Sequence, residues 1–188
     1  MTSKTFLSYA ESRPRIRNAD LLLFRPRNRM ARAIAVAGRS EYVHAAMAGW
    51  WNDRLMCLET TSGGGRAVLL SNLVERWPGA VDWFQANAIR RRFSRTKAIE
   101  TMIAATGRDY GWINLFAAAT LHLPVFRFLA SPSDEDSAAS PRPPFCSQAV
   151  AAACRSGGVD PVPNLADRLT EPGDLARSPF FAYQGALV

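Results

Sequence analysis

Chemistry-bearing side chains are scarce in this sequence. Three cysteines (Cys57, Cys146 and Cys154) and two histidines (His44 and His122) occur among its 188 residues. So few cysteines cannot build a disulfide scaffold for a chain of this length, and free thiols in a reducing compartment are expected. No group of His, Cys, Asp and Glu has metal-ligand spacing, and Cys146 and Cys154 lack a C-x-x-C arrangement, so no metal or other cofactor is expected. The opening stretch "MTSKTFLSYAESRPRIRN" holds no apolar run of the kind a secretory leader needs. The longest apolar stretch, "WINLFAAATLHLPVF", has about 15 residues and is interrupted by His122 and Pro124, which is short for a membrane span. A cytoplasmic protein is the expectation, with phage or secretion-system delivery without a leader as the alternative. "TTSGGGR" is glycine-rich but lacks the Lys-Ser/Thr and helix signal of a phosphate loop. There is no internal repeat.

What is present suits one domain over residues 1–188. Hydrophobic residues make up 48% of the chain, enough for a real core. The net charge of +7 favours anionic surroundings such as a membrane or cell-wall surface. "IRRRFSRTK" is a basic run with a single aromatic, which reads as a solvated helix flank; nucleic acid is not the expected partner, and a basic nucleic-acid binder is kept as a further alternative.

Apolar patterning gives the order of elements. "ADLLLFRP" reads as a strand closed by Pro26. "RNRMARAIAVAG" has helical spacing through Met30, Ile34 and Ala37. "EYVHAAMA" and "RLMCLETT" read as strands separated by the turn-like "GWWND", followed by strands in "GGGRAVLLS" and "AVDWFQANA", an antiparallel meander. In "SRTKAIETMIAATG" the period changes, and Ile99, Met102, Ile103 and Thr106 share a helical face. A second helix is expected from Trp112 to Leu121, then a flexible polar loop at about 131–144. A last helix starts near Cys146, and the tail "TEPGDLARSPFFAYQGALV" reads as irregular or short strand. Strands first and helices later argue for an α+β domain.

The position of Cys146 gives it chemical interest. Pro143 and Pro144 cannot lie inside a helix, so the helix begins after them and Cys146 falls in its first turn. Unpaired N–H groups and the helix dipole there favour a thiolate and can also donate to an oxyanion. The alternative is a structural thiol. Cys154, eight residues on, shares its helix with Ala149, Val150 and Ala153 and reads as packing. A cysteine nucleophile needs a base. His122 lies in an apolar helical run and reads as a core histidine. His44 lies on a strand face with Tyr42, Ala46 and Ala48, where small neighbours leave room for another group. Pairing residues 42–48 with 55–61, Ala48 opposite Leu55, places Glu59 directly opposite His44 and on the same side. Glu59 then orients the ring and stabilises its charged form, as the third member of a triad does. The alternative for Glu59 is a solvent-facing charge. Cys57, on the same face, reads as core.

These residues resemble a known family. "FCSQAV" is similar to the D-C-S-G-x-V or F-C-S-E-L-V motif around the nucleophile of NlpC-type papain-like cysteine hydrolases. "GRDYGW", with Gly107, Tyr110 and Gly111, resembles the G-x-x-Y-x-W motif that precedes it. Here the histidine and polar-residue strands come before the cysteine, an order that matches the circularly permuted branch, which includes YiiX-like proteins and is related to lecithin retinol acyltransferase. "ADLLLFRP" resembles that branch's opening G-D-L-L strand, and "EPGDLARSPFF" its closing P-x-D-L-x-x-S segment. The resemblance spans residues 19–181. It departs at Ala19, where glycine is usual, at Val43, where serine commonly precedes the histidine, and at Gln148, often Glu.

The resemblance implies an α+β, papain-like antiparallel sheet or partial barrel packed against the helix bearing the nucleophile. It implies Cys146 as nucleophile, His44 as base, Glu59 as orienting residue and Tyr110 beside the oxyanion site, with no cofactor. The expected activity is hydrolysis or transfer of an acyl group from a peptide amide or lipid ester. The alternative is a non-catalytic module of the same fold that binds such a lipid or peptide.

Overall fold

The computed structural model describes residues 4–29, 31–32, 35, 40–61, 63–86, 92–107, 146–163 and 165–188. Seven strands form one sheet: β1 (Phe6–Leu7), β2 (Leu21–Phe24), β3 (His44–Trp51), β4 (Arg54–Thr61), β5 (Gly64–Leu69), β6 (Val81–Ala86) and β7 (Phe181–Leu187). Their order across the sheet is β1-β7-β6-β2-β3-β4-β5. All neighbours are antiparallel except β1 and β7. The helices are α1 (Tyr9–Ser12), α2 (Leu70–Arg76), α3 (Arg95–Ala105), α4 (Cys146–Ser156) and α5 (Pro172–Arg177).

The expected meander holds for β2 through β5. β6 then returns to the free edge of β2 instead of extending from β5. That makes β2 a central strand, which is why "LLLF" is apolar without alternation and buried throughout. Leu21 and Leu23 face one core with Ala45, Met47, Leu58 and Phe84; α3, α4 and α5 cover that side through Ala98, Met102, Val150, Cys154 and Leu175. Leu22 and Phe24 face a second core with Ala46, Ala48, Cys57, Trp83 and Leu187, covered by Leu70, Leu73 and Val74 of α2.

Asp20 fastens this centre. Its carboxylate, fully buried, accepts hydrogen bonds from the Arg17 backbone N–H and Trp83 Nε1 at 3.0 Å each, from the Ala86 backbone N–H at 3.1 Å, and from Arg95 at 2.7 Å. One side chain therefore ties β2, β6 and α3 together. Ala19 before it has φ 66°, the left-handed region that glycine enters without a Cβ penalty. The glycine usual at that position in the resembled family has a backbone reason here.

Several expectations need correction. "LSNLVER" is a helix, α2, and not the end of a strand. The tail contains α5, started by a reciprocal capping box between Glu171 and Asp174, and then the seven-residue strand β7. α3 buries Ala98, Ile99 and Met102, while Ile103 is exposed, because the inward face lies one position earlier than the apolar pattern indicated. The helix through Met30, Ile34 and Ala37 falls largely outside the described residues. The helix from Trp112 to Leu121, His122 and the loop at 131–144 lie wholly outside them.

Candidate active site

Three elements meet at one end of the sheet. β3 begins at His44, β4 runs toward Thr61, and α4 begins at Cys146. The β3–β4 hairpin turns through Asn52 and Asp53, with Asn52 at φ 54°, a conformation asparagine tolerates. Trp50 and Trp51 belong to the strand. This tight turn sets Ala48 opposite Cys57 and Ala46 opposite Glu59, which corrects the expected pairing of His44 with Glu59. The change is two residues, so every side chain keeps its face. Glu59 reaches His44 diagonally, and its Oε2 lies 2.5 Å from His44 Nε2.

Glu59 is almost fully buried, at 4% exposure. Burial alone raises its pKa. The hydrogen bond and charge of His44, together with those of Arg66, outweigh burial and hold the carboxyl below its usual range. Arg66 stands directly opposite Glu59 on β5 and donates to Oε1 from Nε at 2.7 Å. Sequence reasoning missed Arg66. The available signal was an opposite charge across the next hairpin, which needed the β4–β5 register to be seen.

The Cys146 thiol faces the His44 ring, with the backbone N–H groups of Ala45 and Ser147 beside it. Burial pushes the thiol pKa up. The charge and hydrogen bond of His44, then the backbone donors, reverse that and bring it below its ordinary value. For His44, burial alone lowers the pKa; Cys146 and then Glu59 outweigh it and raise it to about 10. The pair therefore favours thiolate and imidazolium. Ser147, behind the cysteine, is buried and donates from Oγ to the Thr170 carbonyl at 2.5 Å, tying the start of α4 to the segment before α5.

The other thiols differ. Cys57 is buried in the second core, where burial and then Glu59 raise its pKa well above normal. Cys154 is buried in the first core and is also raised, mainly by burial. Both stay neutral packing groups. Tyr110 lies outside the described residues. Glu59 is no solvent-facing charge.

A mixed α+β fold with a seven-stranded sheet and a cysteine–histidine–glutamate cluster where α4 meets β3 defines the structural class. No protein-family model matches the chain, and no curated protein matches it by sequence. Among solved structures, the metalloprotein YiiX of Escherichia coli O157:H7 (DUF1105) has a similar fold, with a TM-score of 0.61 and 14% identity over 91% of this chain and 97% of that one. The expected YiiX-like architecture is thus seen at the level of the fold.

That neighbour is described as a metalloprotein. Among the described residues no three His, Cys, Asp or Glu side chains are grouped to hold a metal ion. His44 is hydrogen-bonded to Glu59 and faces Cys146, and the remaining Glu59 oxygen takes Arg66. This donor set is committed to its own network and does not fit a metal. Among the described residues no helix is long and apolar enough to cross a membrane.

Proposed function

We propose that the chain is a cysteine hydrolase or acyltransferase of the circularly permuted, NlpC-type papain-like kind, acting as one domain through an acyl-enzyme. The observation that carries this reading is the His44 ring held between the Glu59 carboxylate and the Cys146 thiol. A structural cysteine has no use for a base that is itself oriented by a buried carboxylate.

With Nε2 engaged by Glu59, proton exchange with the thiol falls to Nδ1. His44 takes the Cys146 proton, and the sulfur attacks the carbonyl carbon of an amide or ester. The negative charge developing on the carbonyl oxygen is met by N–H groups at the start of α4, that of Cys146 first. The tetrahedral intermediate collapses as the C–N or C–O bond breaks, and the imidazolium gives its proton to the departing amine or alcohol. Water, or an acceptor alcohol or amine, then attacks the thioester carbon while His44 takes its proton. Sulfur leaves and recovers the proton. Glu59 stays ionised throughout, fixes the ring and stabilises its charged form. The substrate class is a peptide amide, such as a cell-wall stem peptide, or a lipid acyl ester.

The test is intact-mass analysis after brief exposure to activated acyl esters, with peptide and fatty acyl groups in separate arms. An adduct of the acyl mass on Cys146, lost in Cys146→Ala and slowed in His44→Ala, is expected. Tight binding of these compounds with no adduct in either arm would instead identify a non-catalytic binding module.

A further inference from the structure

Beside Glu59 lies a basic surface that the proposed chemistry does not use. β2 ends at Phe24, opposite His44, and Arg27 follows three residues later. α2 ends at Arg76, and the turn after it is fastened to the same place: the Ala80 N–H donates to the Trp77 carbonyl at 3.0 Å, and the Arg25 N–H to the Ala80 carbonyl at 2.9 Å. Trp77 packs on the core that contains Phe24, Ala46 and Cys57, and two guanidiniums stand over its ring, Arg27 at 3.4 Å and Arg76 at 4.9 Å from the centroid.

Two like charges on one indole repel, and neither has a carboxylate partner among the described residues. Partial burial first, and Arg76 second, depress the Arg27 pKa, against the attraction of Glu59. Glu59 cannot neutralise the pair, because its oxygens are taken by His44 and Arg66. Cation–π contact pre-sets the guanidiniums without using their N–H donors. Two guanidiniums pre-positioned on one indole, without a carboxylate partner among the described residues, match an oxyanion, which they bind through charge-assisted hydrogen bonds.

We propose that Arg27 and Arg76, held on Trp77, bind an oxyanion of the substrate on the Glu59 side of the His44 ring. The substrate of the cysteine chemistry is therefore an anionic acyl compound that carries a phosphate or carboxylate near the scissile carbonyl. This inference rests on the reading of Cys146 as the reacting group, and its test separates the two.

The test compares alkylation of Cys146 by iodoacetate and by iodoacetamide, which share a reacting carbon and differ in charge. At low ionic strength, the iodoacetate-to-iodoacetamide rate ratio is expected to be about tenfold higher in the wild type than in an Arg27→Gln/Arg76→Gln variant, the ratio cancelling any change in thiolate fraction common to both reagents. Arg76→Lys, which keeps the charge, guards against a folding effect and is expected to retain most of the ratio. Inorganic phosphate, exchanged for chloride at constant ionic strength, is expected to slow iodoacetate selectively. Protection by phosphate and not acetate assigns a phosphate ester, and protection by both a carboxylate. An unchanged ratio in the double variant, or protection by neither anion, overturns the proposal. An ordinary iodoacetamide pH profile in the wild type overturns the reading of Cys146 instead, and the ratio is still measurable at alkaline pH.

Discussion

Single residues decide whether this site is chemical. Arg66 holds Glu59 ionised and in position, so Arg66→Gln is expected to shift the pH profile of Cys146 alkylation upward. The shift should be smaller than that from His44→Ala, because Arg66 is half exposed and water screens its charge. Arg66→Lys should restore part of it. A profile identical to that of the wild type would show that Arg66 does not act through Glu59. Ala19 poses a separate question. It is fully buried with φ 66°, so a β-branched side chain there meets both backbone strain and a packed wall. Ala19→Val should lower the unfolding free energy in urea by about 2 kcal/mol or more, whereas Ala19→Gly should be tolerated. Equal stability of the two would contradict the left-handed backbone.

At the scale of elements, two contacts add to the apolar packing between the sheet and α3. Asp20→Ala takes from Arg95, 19% exposed, its only carboxylate among the described residues, leaving it the Asn18 and Ala86 carbonyls, and leaves the buried indole N–H of Trp83 without its acceptor, and a cost of about 3–5 kcal/mol is expected from denaturant unfolding. Gly65 is the second contact. A Cβ there would stand 1.9 Å from the Ala105 carbonyl oxygen, where the end of α3 crosses β5 and the Gly107 N–H donates to the Gly65 carbonyl at 2.8 Å. Gly65→Ala should cost about 1–3 kcal/mol and weaken the support of neighbouring Arg66. The glycine run that is no phosphate loop thus serves close packing.

These elements also show what the sequence could reveal. The side of the sheet carrying His44 and Glu59 was legible, because period-two alternation survives any two-residue error in register. The register was not, because Gly49 marks "GWWND" as a turn from its first residue, whereas Gly49 and the tryptophans extend the strand and only Asn52 and Asp53 turn. The start of α4 was legible from two prolines. α2 was not, because its first leucine continues the apolar run of β5. Arg66 was hidden because an exposed-looking arginine gains meaning only from the residue across the hairpin. The tail reads from its sequence as irregular or short strand and no further, since the place of β7 beside β6 depends on pairing partners about 100 residues away, beyond any local pattern.

For the whole molecule, the site couples stability to pH. The His44 pKa is raised from 6.5 to about 10, so its contribution is fully present below 6.5 and is lost as pH rises through about 10. The Cys146 pKa is depressed from 9.0, so its contribution is present above 9 and is lost as pH falls through the folded value. Below pH 9, wherever the folded thiol is ionised, the two slopes oppose. Wild-type stability should therefore decline above pH 9 in a way that His44→Gln does not, as followed by urea unfolding at closely spaced pH values. Glu59, held below 4.5, adds a loss on acidification that Glu59→Gln should lack. Parallel curves for wild type and variants would show that the groups are not coupled to folding as described.

The central claim is that His44 makes Cys146 a nucleophile. Its most direct measurement is the pH dependence of Cys146 alkylation by iodoacetamide, followed by intact mass in the wild type and in His44→Ala. The wild-type thiol is expected to titrate below the ordinary cysteine value of about 8.5. In His44→Ala it should return toward that value, with a loss of reactivity at pH 6 of about tenfold or more, since one pKa unit is a factor of ten in thiolate below the pKa. An ordinary inflection in the wild type, unmoved by His44→Ala, would contradict it.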